Sequence, residues 1–367
     1  MHTTTTFALP DAVSAATKDD PRADYHTLSA QGLFFDQDRH GWVAASGTAV
    51  RSAFHCPELM VRPKTEPVPA TLAGTAAADI FSRLVRMNDG PAHLALKTAM
   101  QEVLDSIAAQ SILQVTREVA DWFALPLPLD GPSVTRFNYG LPILVLAKLF
   151  GIDEPHWSAL VDDVLAFVRC LAPGGRAEEI AAGIAAADRL ASRIQQQLDM
   201  PGLLLQRLLQ AFEPLGFPDA GRQWVAANAI GLWFQACEGC AGLIGLGLLQ
   251  GLERGWQGRA AEWVEHVLND LPPIQNTRRF VSTDTRLSGC PLHSGDAVLL
   301  LLAEKASGSG QNFAFGEGPH ACPGAQWARA IAISGIEHLR RHDVSEQTLA
   351  RRFWQRSANA RVPEFRE

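Results

Sequence analysis

The stretch FAFGEGPHACPGAQWARA, Phe313 to Ala330, decides how this chain is read. It crowds three glycines, a histidine and a proline-flanked cysteine, Cys322, just ahead of a run of helix formers. Pro323 suits the first position of a helix, and Ala325–Leu339 continues it. A thiol placed there meets free backbone N–H groups and the positive end of the helix dipole, both of which favour the thiolate. Gly316, Gly318 and Gly324 let the loop turn sharply and approach a flat ligand with no Cβ in the way. Phe315 can shield the sulfur from water. A zinc site would need three or four ligands at short spacing, and only His320 is near. A structural cysteine in a glycine-rich loop is the plain alternative, and the particular spacing argues against it.

The rest of the composition sets the frame. With 367 residues, 47% hydrophobic and 19% charged, the chain can bury a large core. A net charge of −7 gives no basic field for nucleic acid. Six cysteines are too sparse for a disulfide scaffold, so free thiols in a reducing cytoplasm are expected. The N-terminus has no basic segment followed by an apolar one, so it does not read as a signal peptide. Residues 1–20 read as a loose tail on a single domain spanning 1–367.

The periodicity is helical. Helices are expected over Thr75–Val85, Pro91–Leu104, Ser111–Phe123, Val134–Phe150, Trp157–Leu171, Ala177–Asp199 and Gly202–Ala211. Strand signals are confined to Gly41–Val43, Thr283–Val298 and Phe353–Phe365. The fold class is therefore mainly α with small β-sheets. Trp224–Leu252 is long, apolar and free of proline, and roughly 20 such residues suffice to span a bilayer. Asn228, Gln235 and Glu238 in its body favour the other reading, a central buried helix with no membrane span.

The run Phe315-Gly316-Glu317-Gly318-Pro319-His320-Ala321-Cys322-Pro323-Gly324 resembles the cysteine-ligand loop of the cytochrome P-450 family. That resemblance implies the P-450 fold, a haem b cofactor and Cys322 as the axial thiolate on iron, which pushes electron density toward O–O cleavage. Phe315, Gly316, Gly318, His320 and Gly324 are the loop's other haem-contacting positions. NDGPAHLALK, from Asn88, is similar to the family's propionate-binding stretch, with His93 and Lys97 one helical turn apart. PPIQNTRRF, from Pro272, resembles the pocket segment that ends in a propionate-binding arginine. Arg279 fits that place better than Arg278.

Three features depart from the family pattern. Glu238 aligns with the acid of the central helix, but Gly239 stands where a threonine is expected. Glu238 is read as a proton relay, with a simple core acid as the alternative. His266 and Asn269 occupy the places of the Glu-x-x-Arg ion pair. The meander before the cysteine loop is largely missing, and losing the pair and the meander together avoids leaving half of an ion pair buried. Cys237 and Cys240 form a CxxC with no second pair for zinc.

The resemblance implies an oxidoreductase acting on a small organic substrate: a monooxygenase or related oxidase, set in a biosynthetic pathway. The alternatives are a haem protein that binds or senses without turnover, and a peroxide-dependent enzyme. Trp233, Phe234, Gln235, Ile274, Gln275, Asn276 and Thr277 are expected to border the substrate pocket, whose polar wall would suit a polar substrate. The chain carries no GxGxxG-type flavin or NAD fingerprint. A ferredoxin or flavodoxin partner is therefore expected to deliver electrons; Lys305, Arg329, Arg340 and Arg341 are candidates for a basic docking patch, and a solvated helix end is an equally good reading of them.

Overall fold

A computed structural model describes residues 9–172, 174–303, 312–355 and 357–367. The helices before the long central one are α1 (Arg22–Ser29), α2 (Gly47–Phe54), α3 (Ala76–Arg83), α4 (Gly90–Asp105) and α5 (Ala109–Ala120), then α6 (Gly131–Phe150), α7 (Trp157–Leu171), α8 (Ala177–Gln197) and α9 (Leu203–Phe212). The central helix α10 (Arg222–Glu253) is followed by α11 (Ala260–Asp270), α12 (Ala325–Arg341) and α13 (Glu346–Ala350). The strands are β1 (Leu33–Asp36), β2 (Gly41–Ala44), β3 (Leu59–Met60), β4 (Asn276–Val281), β5 (Thr285–Leu287), β6 (Cys290–Leu292), β7 (Ala297–Leu301), β8 (Arg352–Trp354) and β9 (Pro363–Phe365).

Helix α10 organises the molecule. It is apolar nearly all round, which in a folded protein requires partners on several sides. It has them in α3, α6, α11 and α12. About 67% of its most apolar window is buried within the protein, as expected of a core helix. Its glycines let those partners come close: a Cβ at Gly242 would stand 2.6 Å from Pro273 Cβ and 2.8 Å from the Arg361 carbonyl oxygen. One at Gly245 would stand 2.6 Å from Pro363 Cγ.

The strands form a five-stranded sheet in the order β1-β2-β7-β4-β3, in which only β2 and β7 run parallel. Pro272 and Pro273 end α11 and launch β4, since proline can neither continue a helix nor donate to its ladder. Two hairpins, β5-β6 and β8-β9, complete the strands. Ser288 and Gly289, with φ of 48° and 86°, make the two-residue turn between β5 and β6, and its paired positive φ values match the right-handed strand twist.

The expected helices all form with shifted ends, but α1, α2, α11 and α13 were not expected, nor were β1, β3 and β4. The tail reading fails for residues 9–20. Ala12, Ala15 and Ala16 are buried, and the Arg361 guanidinium donates to the carbonyls of Ala16, Lys18 and Asp19 at 2.7, 2.5 and 2.7 Å. A C-terminal arginine thus pins this segment.

The crossings on α10 make a paired test. Gly242→Ala should destabilise the fold by about 1–3 kcal/mol, because backbone stands in the way of the new methyl. Position 239 has nothing nearer than Ile274 Cδ1 at 3.9 Å, so Gly239→Ala should be neutral or stabilising by up to about 1 kcal/mol. Urea unfolding midpoints of the two variants against the parent would check this.

Candidate functional site

One wall of a cavity of about 370 Å³ is a face of α10: Leu232, Gln235, Ala236, Gly239, Cys240 and Leu243. These positions recur at helix spacing and so share one side. The facing wall is the Cys322 loop, with Phe315, Gly316 and Gly324. Helix α4 and strand β4 close the edges.

The loop is fastened from several sides, chiefly along α4. Its side chains at i, i+4 and i+8 meet successive loop carbonyls. His93 Nε2 faces the Pro319 oxygen at 3.2 Å, Lys97 Nζ donates to Ala321, and Gln101 Nε2 donates to Pro323 at 3.4 Å. From α2, Arg51 and His55 hold the Glu317 carboxylate at 3.0 and 2.9 Å. His320 stacks on His93 with ring centroids 4.1 Å apart, and its Nε2 lies 3.0 Å from Asp89 Oδ1. Gly316 and Gly318 adopt φ of 68° and 70°, a region that favours glycine.

Cys322 is open to the cavity it lines, yet it lies deep in the protein. Burial pushes its thiol up, while the Gly324 N–H, Lys97, Arg86 and Arg329 pull it back toward the thiolate. Burial would also raise Asp89, but His320, the Val61 N–H and Arg279 bring it below the ordinary carboxylate range. Arg279 is buried, and burial, with Arg86 nearby, lowers it to about 10. It spends one guanidinium nitrogen, Nη1, on Thr277 Oγ1 and the Arg278 oxygen.

Several expected positions lie elsewhere. Trp233 is turned off the cavity face into the core, where Nε1 donates to the Ile143 oxygen at 3.1 Å. Gln275 is fully buried, its amide donating to Pro272 and its backbone N–H to the Asn359 oxygen. Neither borders the cavity, whereas Gln235, Ile274, Asn276 and Thr277 do. Phe234 packs beside Phe167 and carries the Arg86 guanidinium over its ring at 5.7 Å. Both ring nitrogens of His93 face carbonyls, Val85 and Pro319, so it braces the loop.

Glu238 also points away from this cavity. It lines a second cleft of about 630 Å³ bordered by α6, α7 and the C-terminal segment. Gln355 Nε2 and Ser357 Oγ donate to its carboxylate at 3.1 and 3.4 Å, and the Tyr139 hydroxyl links Gln355 to Glu364. Burial raises the Glu238 pKa against the pull of those two hydrogen bonds.

In place of a Glu-x-x-Arg pair, the Asn312 amide donates to Asn269 Oδ1 at 2.6 Å, tying α11 to the start of the cysteine loop. His266 instead lies 3.4 Å from Arg254. Arg329 pairs with Glu265 at 2.6 Å and lies over the Phe315 ring, and Arg340 lies over Trp263. Lys305 lies outside the described residues. Cys240 lines the cavity and its thiol is pushed up to about 12 by burial. Among the described residues no cluster of histidine, cysteine and carboxylate ligands accompanies it or Cys237.

No family profile matches the chain, and no curated protein matches it in sequence. Solved structures do match, over nearly the full length. CalO2 superposes with a TM-score of 0.77 at 18% identity, covering 98% of each chain. CYP164A2 of Mycobacterium smegmatis, solved with econazole bound, gives 0.73 at 20% identity, covering 97% of this chain and 96% of its own. CxnD, a cytochrome P450 for C–S bond formation in chuangxinmycin biosynthesis, gives 0.73 at 16% identity, covering 99% and 97%. The chain has the cytochrome P450 fold.

That fold implies a haem, and the donor set fits one. The cavity places a thiol on one wall and carries Lys97, Arg279 and His320 at its edges. His320 Nδ1 is buried with no partner among the described residues; with Nε2 on Asp89 it becomes a donor only in the imidazolium form, which a propionate carboxylate bound beside it would favour.

The raised pKa of Glu238 makes a stability prediction. A carboxyl raised on folding contributes stability that is complete below its ordinary value of 4.5 and is lost as pH climbs through the raised value. Glu238→Gln lacks this loss. Its stability relative to the parent should be flat at low pH, rise through that window and then level off, as urea unfolding measured across pH would reveal.

Proposed function

We propose that this chain is a haem-thiolate oxidoreductase of cytochrome P450 type that oxidises a small organic molecule in a biosynthetic pathway, using haem b. The observation that carries this reading is Cys322, held bare at a helix N-terminus across one cavity from Gly239. Bound haem supplies an iron centre that takes up electrons and activates dioxygen or peroxide. Cys322 would hold its iron through the thiolate, with Lys97, Arg279 and His320 as propionate donors and His93 as a brace. The α10 face, with Ile274, Asn276 and Thr277, would shape and dry the substrate chamber.

Proton supply falls to the second cleft in this reading. Glu238, raised by burial, holds a proton at a carboxyl oxygen and exchanges it with the second cleft, which it lines, while Gln355 and Ser357 orient the carboxyl. Gly239 offers no hydroxyl to pass that proton across α10, so water or a polar group of the substrate completes the step. The same turning away of Glu238 favours a second reading, an enzyme of this fold driven by peroxide. Product formation with peroxide alone, against a ferredoxin or flavodoxin system with dioxygen, separates the two.

The haem assignment has a direct test. The reduced, CO-bound protein should show the red-shifted Soret band of thiolate ligation, and Cys322→Ala should lose it. A histidine-type spectrum in the parent would overturn the reading. Charge-assisted contacts contribute about 1.5–3 kcal/mol each, so Arg279→Ala should loosen haem roughly tenfold or more, measured as the rate of haem transfer to a scavenging globin.

A further inference from the structure

Arg86 belongs to neither the loop fastening nor the proton route. It sits in a single 3-10 turn, Val85–Met87, whose backbone is locked in place. The buried Asn228 of α10 accepts from Val85 N–H at 2.8 Å and donates to the Arg83 and Trp224 oxygens, both at 2.9 Å. From this fixed base the half-buried Arg86 side chain lines the cavity. It rests over the face of Phe234, on the helix that forms the wall opposite Cys322. No hydrogen bond and no carboxylate partner meets it among the described residues. Asp89, three residues further on, is already taken by His320, the Val61 N–H and the field of Arg279.

Burial lowers the Arg86 pKa, but from so high a starting point that the guanidinium keeps its charge. Its planar fork matches a carboxylate, which it binds through two parallel hydrogen bonds. Lys97, Arg279 and His320 already serve the haem edge in the reading above, so Arg86 is a further cation facing the interior. The Phe234 ring lies against one side of the guanidinium, and the residue still lines the chamber. We propose that Arg86 is the anion anchor of the substrate chamber and that the substrate carries a carboxylate. This rests on the haem-thiolate reading and names the substrate class of that same site.

The probes are ω-(imidazol-1-yl)alkanoic acids of increasing chain length and their matched primary amides. The azole ligates the iron and reports binding by the Soret shift, so affinity is read without turnover. In holoprotein, at least one acid should bind about tenfold or more tighter than its amide, as a charge-assisted pair gives. Arg86→Gln should remove that preference with haem content and the CO spectrum unchanged, and Arg86→Lys should keep part of it. Equal affinity for acids and amides at every chain length, or no binding of any acid, would overturn the proposal. So would loss of haem in Arg86→Gln to the extent seen in Arg279→Ala, which would make a haem propionate the anion held. A parent without the thiolate CO spectrum would instead sink the haem-thiolate reading itself.

Discussion

A sulfur left bare inside a protein constrains everything around it, because the loop that carries it must be rigid without using the sulfur as an anchor. The segment around Cys322 ends in carbonyls that would otherwise be buried unsatisfied, and each such group costs about 1–3 kcal/mol. Helix α4 meets three of them with His93, Lys97 and Gln101, spaced four apart on one face. Glu317 adds an anchor to α2 through Arg51 and His55. The same contacts that satisfy the backbone therefore aim the thiol at the cavity, and fold stability and site geometry become one problem.

The absent Glu-x-x-Arg pair belongs to that problem as well. A buried ion pair at this place would need a surrounding of hydrogen bonds to offset the loss of water around its charges. Asn269 and Asn312 replace it with a neutral amide contact, which needs far less solvation. Glu265, one residue from His266, finds Arg329 on α12 and places that cation over Phe315. Helices α11 and α12 and the loop are thus joined by small contacts in place of one strong pair.

How much of this could be read from the sequence follows from what each signal depends on. The cysteine loop was legible because its residue types are dictated by backbone geometry and by thiolate chemistry, both local. The α10 segment was legible because its apolar character runs all round the helix. The directions of side chains were not. Trp233 and Gln235 are two residues apart and face different surroundings, a matter of helix rotation that no local pattern fixes. Gln275 reads as a polar wall residue, but its amide is used by Pro272 inside the β4 entry. Strand β4 was hidden by its two arginines, which leave only an irregular alternation. Gln101, Glu317 and Asn312 carry no motif by themselves. Arg86 carried a signal of a kind, a cation between two apolar residues just ahead of the His93 stretch.

Helix α10 finally separates two chemistries that the proposed reaction has to join. Neighbouring residues on a helix project about 100° apart, so Glu238 opens onto one cleft while Gly239 opens onto the other cavity. A side chain with a hydroxyl at position 239 would have linked them. Glycine leaves space there instead, bounded by Ile274 Cδ1 at 3.9 Å from where a Cβ would be. On the proposed reading, the last link between proton source and reacting centre is then supplied by whatever occupies the chamber. A substrate held at one end by Arg86 would arrive with a fixed orientation, and a fixed orientation is what allows one of its polar groups to stand beside Gly239. The missing hydroxyl and a guanidinium with no partner among the described residues can therefore be understood together, as two features that shift positioning from the protein to its ligand.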